Sequence, residues 1–408
     1  MFKRYKMKKL ISILLLSATI LSLGACGFPG FAKDPQKIDM LASEQLAAAI
    51  PSITEDTARE SGVYLEERRV SFAATGDNII YTSTWTDARN HAAAGGYKAE
   101  YDFKPIYKNV LDMISKPDIA FLTQETLMTG GANSAYPRFN SPRELGHDLV
   151  GVGFDVINIA NNHMLDKGAA GLSATIDFYD TLSATMIGGY KNEADFNRVR
   201  IVEKNGIKIA FLAFTEHTNY IKLDAGSELY IPYTNDEAIK RQTKAAREAA
   251  DIVIVAMHWG DEYVQKQNAN QERLAKLLAE CEVDVILGSH SHSIQPIVEL
   301  DRPSGKKTLC IYSLGNFLNA MDQPVNMVGG FLNFDIVKPE VGDTRIENVV
   351  FNPVVCHFGP SWFNSSLYPL ESYTDELAAI HYVDITVAKL KSFVTGTIDA
   401  KYLPDYLK

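Results

Sequence analysis

Six short apolar runs, each closed by polar or small residues, set the texture of the chain: "VSFAATGD" (70–77), "DIAFLTQE" (118–125), "FDVINIANNH" (154–163), "KIAFLAFT" (208–215), "DIVIVAMHWG" (251–260) and "VDVILGSH" (283–290). Rich in β-branched residues, they predict strands. Between several of them lie helix-like stretches such as "NDEAIKRQTKAAREAADI" and "NQERLAKLLAECE". Strand and helix therefore alternate, which predicts an α/β fold with sheets covered on both faces. In such sheets a ligand site gathers beyond the carboxyl ends of the strands.

What stands at those ends is Asp77, Glu125, Asn162 with His163, His258, and His290 with His292. A single histidine at a strand end is usually a hydrogen-bonded structural residue. A set of carboxylates, an amide and imidazoles, each ending a different run, is instead the composition of a metal or proton-transfer site. Mixed oxygen and imidazole donors suit Mn, Zn or Fe, and the absence of thiolates argues against a closed structural zinc, so the predicted site is open to substrate. In "LGSHSHSIQP" the spacing by two predicts, by strand alternation, that His290 and His292 enter one cavity.

The segments "TGDNIIY", "TQE", "FDVINIANNHMLDKG", "HWGDEY", "GSHSHSIQP" and "IYSLGNFL", in that order, resemble the poly-gamma-glutamate capsule biosynthesis protein family, a branch of the calcineurin-like metallophosphoesterases. The resemblance runs from about residue 70 to 358, and "FLAFTEHTNYIKL" is similar to a further family segment. It implies a four-layer α/β/β/α sandwich, two mixed sheets between helices, with one or two divalent ions at the strand ends. Carried over by residue, Asp77 and His292 would hold a first metal, Glu125 would bridge, and Asn162, His258 and His290 would hold a second. His163 would protonate a leaving oxygen, with Asp166 orienting its ring or capping the following helix. Glu262 reads either as a residue that orients ligands or as a solvated acid, and Asn316 as one that supports the ligands by bonding a nearby loop. Ile79 stands where the wider superfamily's D-x-H places a histidine, which leaves the first metal one ligand short, and Gln267 replaces a family proline after "HWGDEY". Trp259 and Tyr263 read as core packing before substrate contact.

The N-terminus changes where this chemistry would happen. "MFKRYKMKK" carries five basic residues and no acid, an apolar run of 14 residues follows, and "LGAC" ends at Cys26. That is a secretory signal, too short for the ~20 residues of a spanning helix. Its end resembles a lipobox, which implies cleavage before Cys26, a lipid on that cysteine, and a position on the outer face of the bacterial cell membrane. The predicted organisation is a signal peptide (1–25), a tether with short helical pieces (26–67), the phosphoesterase-like domain (68–358) and a helical C-terminal extension (359–408) packed on the sandwich.

With 408 residues, 46% hydrophobic and 22% charged, the chain has material for one large core or two smaller ones. Its net charge of −10 becomes −15 once the five basic residues of the leader are removed, which excludes nucleic acid as a natural partner. Cys281, Cys310 and Cys356 read as buried thiols rather than a disulfide framework, with room for one disulfide outside the cell, and His357 and His381 as surface or core residues rather than ligands. Two function classes follow. One is a metal-dependent hydrolase of a phosphoester, or an amide, in the cell envelope. The other is a lipid-anchored component of poly-gamma-glutamate synthesis or export, whose partners are the polymer and a polymer-synthesis complex.

Overall fold

The computed structural model describes residues 67–408; the signal segment, Cys26 and the tether up to residue 66 lie outside the described residues. Strands β1 (Arg68–Asn78), β2 (Ile119–Gln124), β3 (Val156–Asn158) and β4 (Thr185–Ile187) run parallel in one sheet. The other edge of β1 is antiparallel to β12 (Val328–Lys338), followed by β13 (Arg345–His357) and β14 (Ser366–Pro369). The second sheet has the order β5 (Arg200–Lys204), β6 (Ile207–Thr215), β7 (Ile252–His258), β8 (Val285–Ser289), β10 (Lys307–Ile311), β9 (Ile297–Asp301). A short strand, β11 (Asn316–Leu318), pairs with the end of β1. Both sheets are mixed, as expected.

The layer order is legible in the period of two along the central strands. In β7, Ile252, Ile254 and Ala256 join the cluster between the sheets, while Val253, Val255 and Met257 join a second cluster on the far side. Strand β6 divides likewise, Phe211 inward and Leu212 and Phe214 outward. Phe211 stacks on Phe72 of the first sheet at 6.1 Å, which closes the inner layer. A strand buried on both faces reads as a continuous apolar run, which is why "DIVIVAM" shows no alternation in the sequence.

Among helices of nine residues or more, α1 is Thr82–Gly95, α2 Glu144–Val152, α3 Gly168–Tyr179, α4 Asp236–Ala249, α5 Ala269–Glu280 and α6 Val387–Thr397. Helices α4 and α5 cover the outer face of the second sheet through Ala238, Ile239, Leu274 and Leu278. Asn235 caps α4, and Asn268 with Gln271 forms a capping box at α5, so both start where the polar residues precede the amphipathic pattern. Helices α2 and α3 add Leu145, Leu149, Leu172 and Ile176 to the first sheet's side.

The tail is not wholly helical. Its Ser366–Pro369 segment is an edge strand on β13, and only α6 and shorter turns follow the helical pattern. Its docking buries His357 and His381, whose rings lie 5.2 Å apart, so both are core histidines. Cys310 and Cys356 are buried thiols, Cys281 is half-buried, and all three are free. Among the described residues no helix is long and apolar enough to cross a membrane.

Candidate functional site

Parallel strands bring their carboxyl ends to one edge, and this edge collects the polar residues that close the apolar runs. Asp77 is the penultimate residue of β1, Glu125 follows β2, Asn162 and His163 follow β3, His258 ends β7, and His290 follows β8. The pairing of β1 with β2 slips by one residue between Thr75 and Asp77, leaving Gly76 as a bulge. That extra residue lets Asp77 leave the strand on the face of Phe72 and Ala74, towards the second sheet. Only glycine fits there, because a Cβ on residue 76 would lie 1.9 Å from the Gly315 carbonyl oxygen.

His290 and His292 do converge, with ring centroids 6.0 Å apart. Strand alternation is not the reason. Strand β8 ends at Ser289, and both histidines have left-handed backbones, φ 92° and 54°. The turn is fixed by the His290 N–H, which donates to Asp77 Oδ2 at 3.0 Å, and by Ser291 Oγ, which donates to the Ser293 carbonyl at 2.7 Å. Such conformations cost free energy and persist where surroundings hold them, commonly at functional sites.

The contacts fix how the imidazoles are presented. Asn316 uses its amide N–H groups on the carbonyls of His292 and Asn326, at 3.3 and 3.2 Å, so its Oδ1 is free to accept from His292 Nδ1 at 3.0 Å. The His292 Nε2 is then an unprotonated donor atom. His258 Nε2 lies 3.0 Å from Asn162 Oδ1, 3.1 Å from His290 Nδ1 and 3.4 Å from Glu125 Oε1. One ring nitrogen makes at most one hydrogen bond as a donor, yet three polar atoms crowd it.

Electrostatics point the same way. Burial, and then the neighbouring Asp77, push the Glu125 carboxyl well above the usual carboxylate range. Burial and the surrounding imidazoles push His258 and His290 well below the usual imidazole range. The Glu125–His258 contact has ion-pair distance, but both groups are driven toward their neutral forms, so the contact is not an ion pair. Asp77 Oδ1 and both Glu125 oxygens are buried without a hydrogen-bond partner among the described residues. Unpartnered buried carboxylate oxygens are costly, and a divalent cation is the partner that would satisfy them together with neutral imidazoles. Ligand atoms of Asp77, Glu125 and His292 lie within 4.8 Å of one another, as do those of Glu262, His290 and His292. These donors fit an oxygen- and imidazole-binding ion.

Beside this cluster opens a cleft of about 350 Å³, lined among others by Ile79, Tyr81, Arg138, His163, Glu262 and His292. His163 Nδ1 contacts Asp166 Oδ2 at 2.8 Å, and its ring stands edge-on to Phe139 at 4.8 Å. Asp166 orients this ring rather than capping α3, whose N-cap position, Lys167, makes no side-chain cap bond. Ile79 contributes only its side-chain wall to the cleft, its N–H being spent on the Leu318 carbonyl at 2.8 Å. Trp259 is buried in the outer core with its Nε1 donating to the Tyr312 carbonyl, whereas Tyr263 lines the cleft and is half-exposed. Gln267 bonds Glu272 at the surface.

Two residues escaped the sequence reading. His217 packs edge-on to His290 at 5.0 Å, and Asn219 accepts at Oδ1 from the Asn162 Nδ2 amide at 3.3 Å while its own Nδ2 lies 3.4 Å from His163 Nδ1. Both follow β6, whose run "KIAFLAFT" ends in the polar "EHTN". The rule that found the other five strand ends would have found this one.

A family model described as Bacterial capsule synthesis protein PGA_cap matches residues 71–321. A capsule biosynthesis protein CapA of Bacillus anthracis is 32% identical over 170 residues, 41% of this chain and 40% of that protein. A PGA biosynthesis protein CapA of Bacillus subtilis is 32% identical over 181 residues, 42% of this chain and 44% of that protein. The chain thus spans about two fifths of the length of the curated relatives it matches. Among solved structures, the calcineurin-like phosphoesterase YfkN from Bacillus subtilis aligns over 81% of this chain and 97% of that one, with 14% identity and a TM-score of 0.41. A 5'-nucleotidase precursor from Thermus thermophilus aligns over 68% of this chain and 54% of that one, with 12% identity and a TM-score of 0.38.

Proposed function

The chain belongs to the bacterial capsule synthesis protein family PGA_cap, and from that premise we propose that it is a lipid-anchored, extracytoplasmic component of poly-gamma-glutamate synthesis or export with a phosphoesterase-like metal centre. The observation that carries the metal centre is the crowding at His258 Nε2, three polar atoms within 3.4 Å, beside the unpartnered oxygens of Asp77 and Glu125. Asp77, Glu125 and His292 would hold one Mn, Zn or Fe ion, and Asn162, His258 and His290, with Glu125, would hold a second. Such ions supply Lewis acidity toward a phosphoryl or carbonyl oxygen and an activated water.

The chain's own residues do the rest. Asn316 keeps His292 in the tautomer that leaves Nε2 bare. Asp166 accepts from Nδ1 of His163 and fixes the ring with Nε2 toward the cleft, where the imidazolium form has the proton for a leaving oxygen. The membrane is reached through Cys26, and the partners are the polymer and its synthesis complex. A second reading, an envelope phosphoesterase unrelated to the polymer, is favoured by the His163–Asp166 pair, for which an accessory protein has no use.

The test is metal analysis of the purified full chain, coupled to phosphodiester and phosphomonoester substrates with Mn, Zn or Fe supplied, and polymer yield in cells lacking the gene. Bound metal with loss of polymer supports the first reading. Turnover with unchanged polymer supports the second, and absence of bound metal removes the centre from both.

A further inference from the structure

We infer that Glu262 is itself a metal ligand, closing the centre from the solvent side on a cleft wall where Ile79 presents no donor atom. The inference rests on the metal-centre reading above and assigns a coordinating role to a residue whose sequence position suggested an orienting role or a solvated acid.

Two donor trios meet at His292: Asp77, Glu125 and His292 on the buried side, and Glu262, His290 and His292 on the open side, each with ligand atoms within 4.8 Å of one another. The buried trio contains three carboxylate oxygens without a hydrogen-bond partner among the described residues. The open trio adds a further carboxylate to the same cavity. Among the described residues no lysine or arginine forms an ion pair with Asp77, Glu125 or Glu262, and Arg138, the cation of the cleft lining, is no exception. Three carboxyl groups thus converge on three imidazoles with no lysine or arginine among them, a donor set that a divalent ion would satisfy.

The position of Glu262 is built, not incidental. Strand β7 is anchored at its end by the buried Trp259. The following turn passes through Gly260 at φ 93°, where an added Cβ would meet Gln271 Oε1 at 2.5 Å. The Gly260 N–H donates to Glu216 Oε2 at 2.9 Å. Tyr263, at φ 66°, donates its N–H to the carbonyl of Ser291 at 2.7 Å. Ser291 lies between the two histidines, so the residue before Tyr263 is tied in register to His290 and His292. A solvated surface acid needs no such tether.

The experiment compares full-length wild type, Glu262→Gln and the control Asp261→Asn, an exposed acid on the same turn. Mn²⁺ affinity is measured by calorimetry and the coordination sphere by the visible spectrum of the Co²⁺-loaded proteins. Expected are a loss of Mn²⁺ affinity of at least about tenfold in Glu262→Gln, a shift of its Co²⁺ bands, and wild-type behaviour in Asp261→Asn. A residue that only orients a ligand would weaken binding without moving the bands, and that result overturns the assignment. So does an equal loss in Asp261→Asn, or unchanged affinity in Glu262→Gln while wild type binds; in these cases the metal centre itself stands. If wild type binds neither ion, the centre and the inference fall together.

Discussion

Asp166 Oδ2 accepts two hydrogen bonds at once, 2.8 Å from His163 Nδ1 and 2.7 Å from the Phe139 N–H. The carboxylate is thereby pinned by backbone, and it pins the ring. A ring held at Nδ1 presents Nε2 to the cleft, the geometry of a positioned general acid. His163→Ala is expected to retain its metal and its melting temperature while losing about 10² to 10⁴ in phosphoester turnover. Asp166→Asn should lose less, because the ring remains but its tautomer is no longer enforced. Parallel loss of metal and turnover in His163→Ala would place the residue in the metal shell instead.

Asn162, one position earlier, behaves differently. Its Oδ1 points at His258 Nε2 at 3.0 Å and cannot deliver a proton at neutral pH. Asn162→Ala, His258→Ala and His290→Ala are each expected to lower bound metal together with any activity, read by elemental analysis after dialysis in a fixed metal buffer. Asp77→Ala should cost less, since Ile79 leaves that side with fewer donors. Full metal occupancy in all of these variants would falsify the ligand assignment.

Much of this site was legible before any coordinates, for a physical reason. Strand ends are marked by the change from apolar to polar residues, and parallel strands carry those marks to one edge, so the run endings at Asp77, Glu125 and His258 named the cluster. Geometry that depends on single backbone angles was not legible. The left-handed turns at His290 and His292, the bulge at Gly76 and the tether from Tyr263 to Ser291 leave no periodic trace. Asp166 could be read as cap or orienter because the carboxylate is held in place by the Phe139 N–H, 27 residues away in the chain. The edge strand Ser366–Pro369 was hidden because an edge strand of four residues carries too little pattern to separate from turn.

The proposed extracytoplasmic location is tested separately from the site. Cys26 lies outside the described residues, and the lipid anchor rests on the leader's basic flank, apolar run and "LGAC" ending. Cys26→Ser is expected to shift the protein from the membrane fraction to the medium or to leave an unprocessed precursor, checked by fractionation and intact mass. Unchanged membrane retention with unchanged mass would rule out lipidation.

The C-terminal tail gives the chain a pH-dependent stability separate from the cleft. Burial, with His381 beside it, lowers the His357 pKa to about 4, and burial also lowers that of His381. His357 Nδ1 contacts Tyr373 Oη at 2.8 Å, and His381 Nε2 donates to the Cys356 carbonyl at 3.1 Å while its Nδ1 accepts from the Val383 N–H at 2.9 Å. Above the ordinary imidazole value of ~6.5 both rings are neutral whether the chain is folded or not, so they add no pH dependence. Below it the unfolded chain takes up protons that the folded one refuses, and stability falls until the folded value near 4 is passed. Melting temperature is therefore expected to drop from pH 7 to pH 5. In His357→Phe the tail should be less stable at pH 7, because Tyr373 loses its partner, yet its drop between the two pH values should be smaller than that of wild type. An identical drop in variant and wild type would assign the acid sensitivity to other groups.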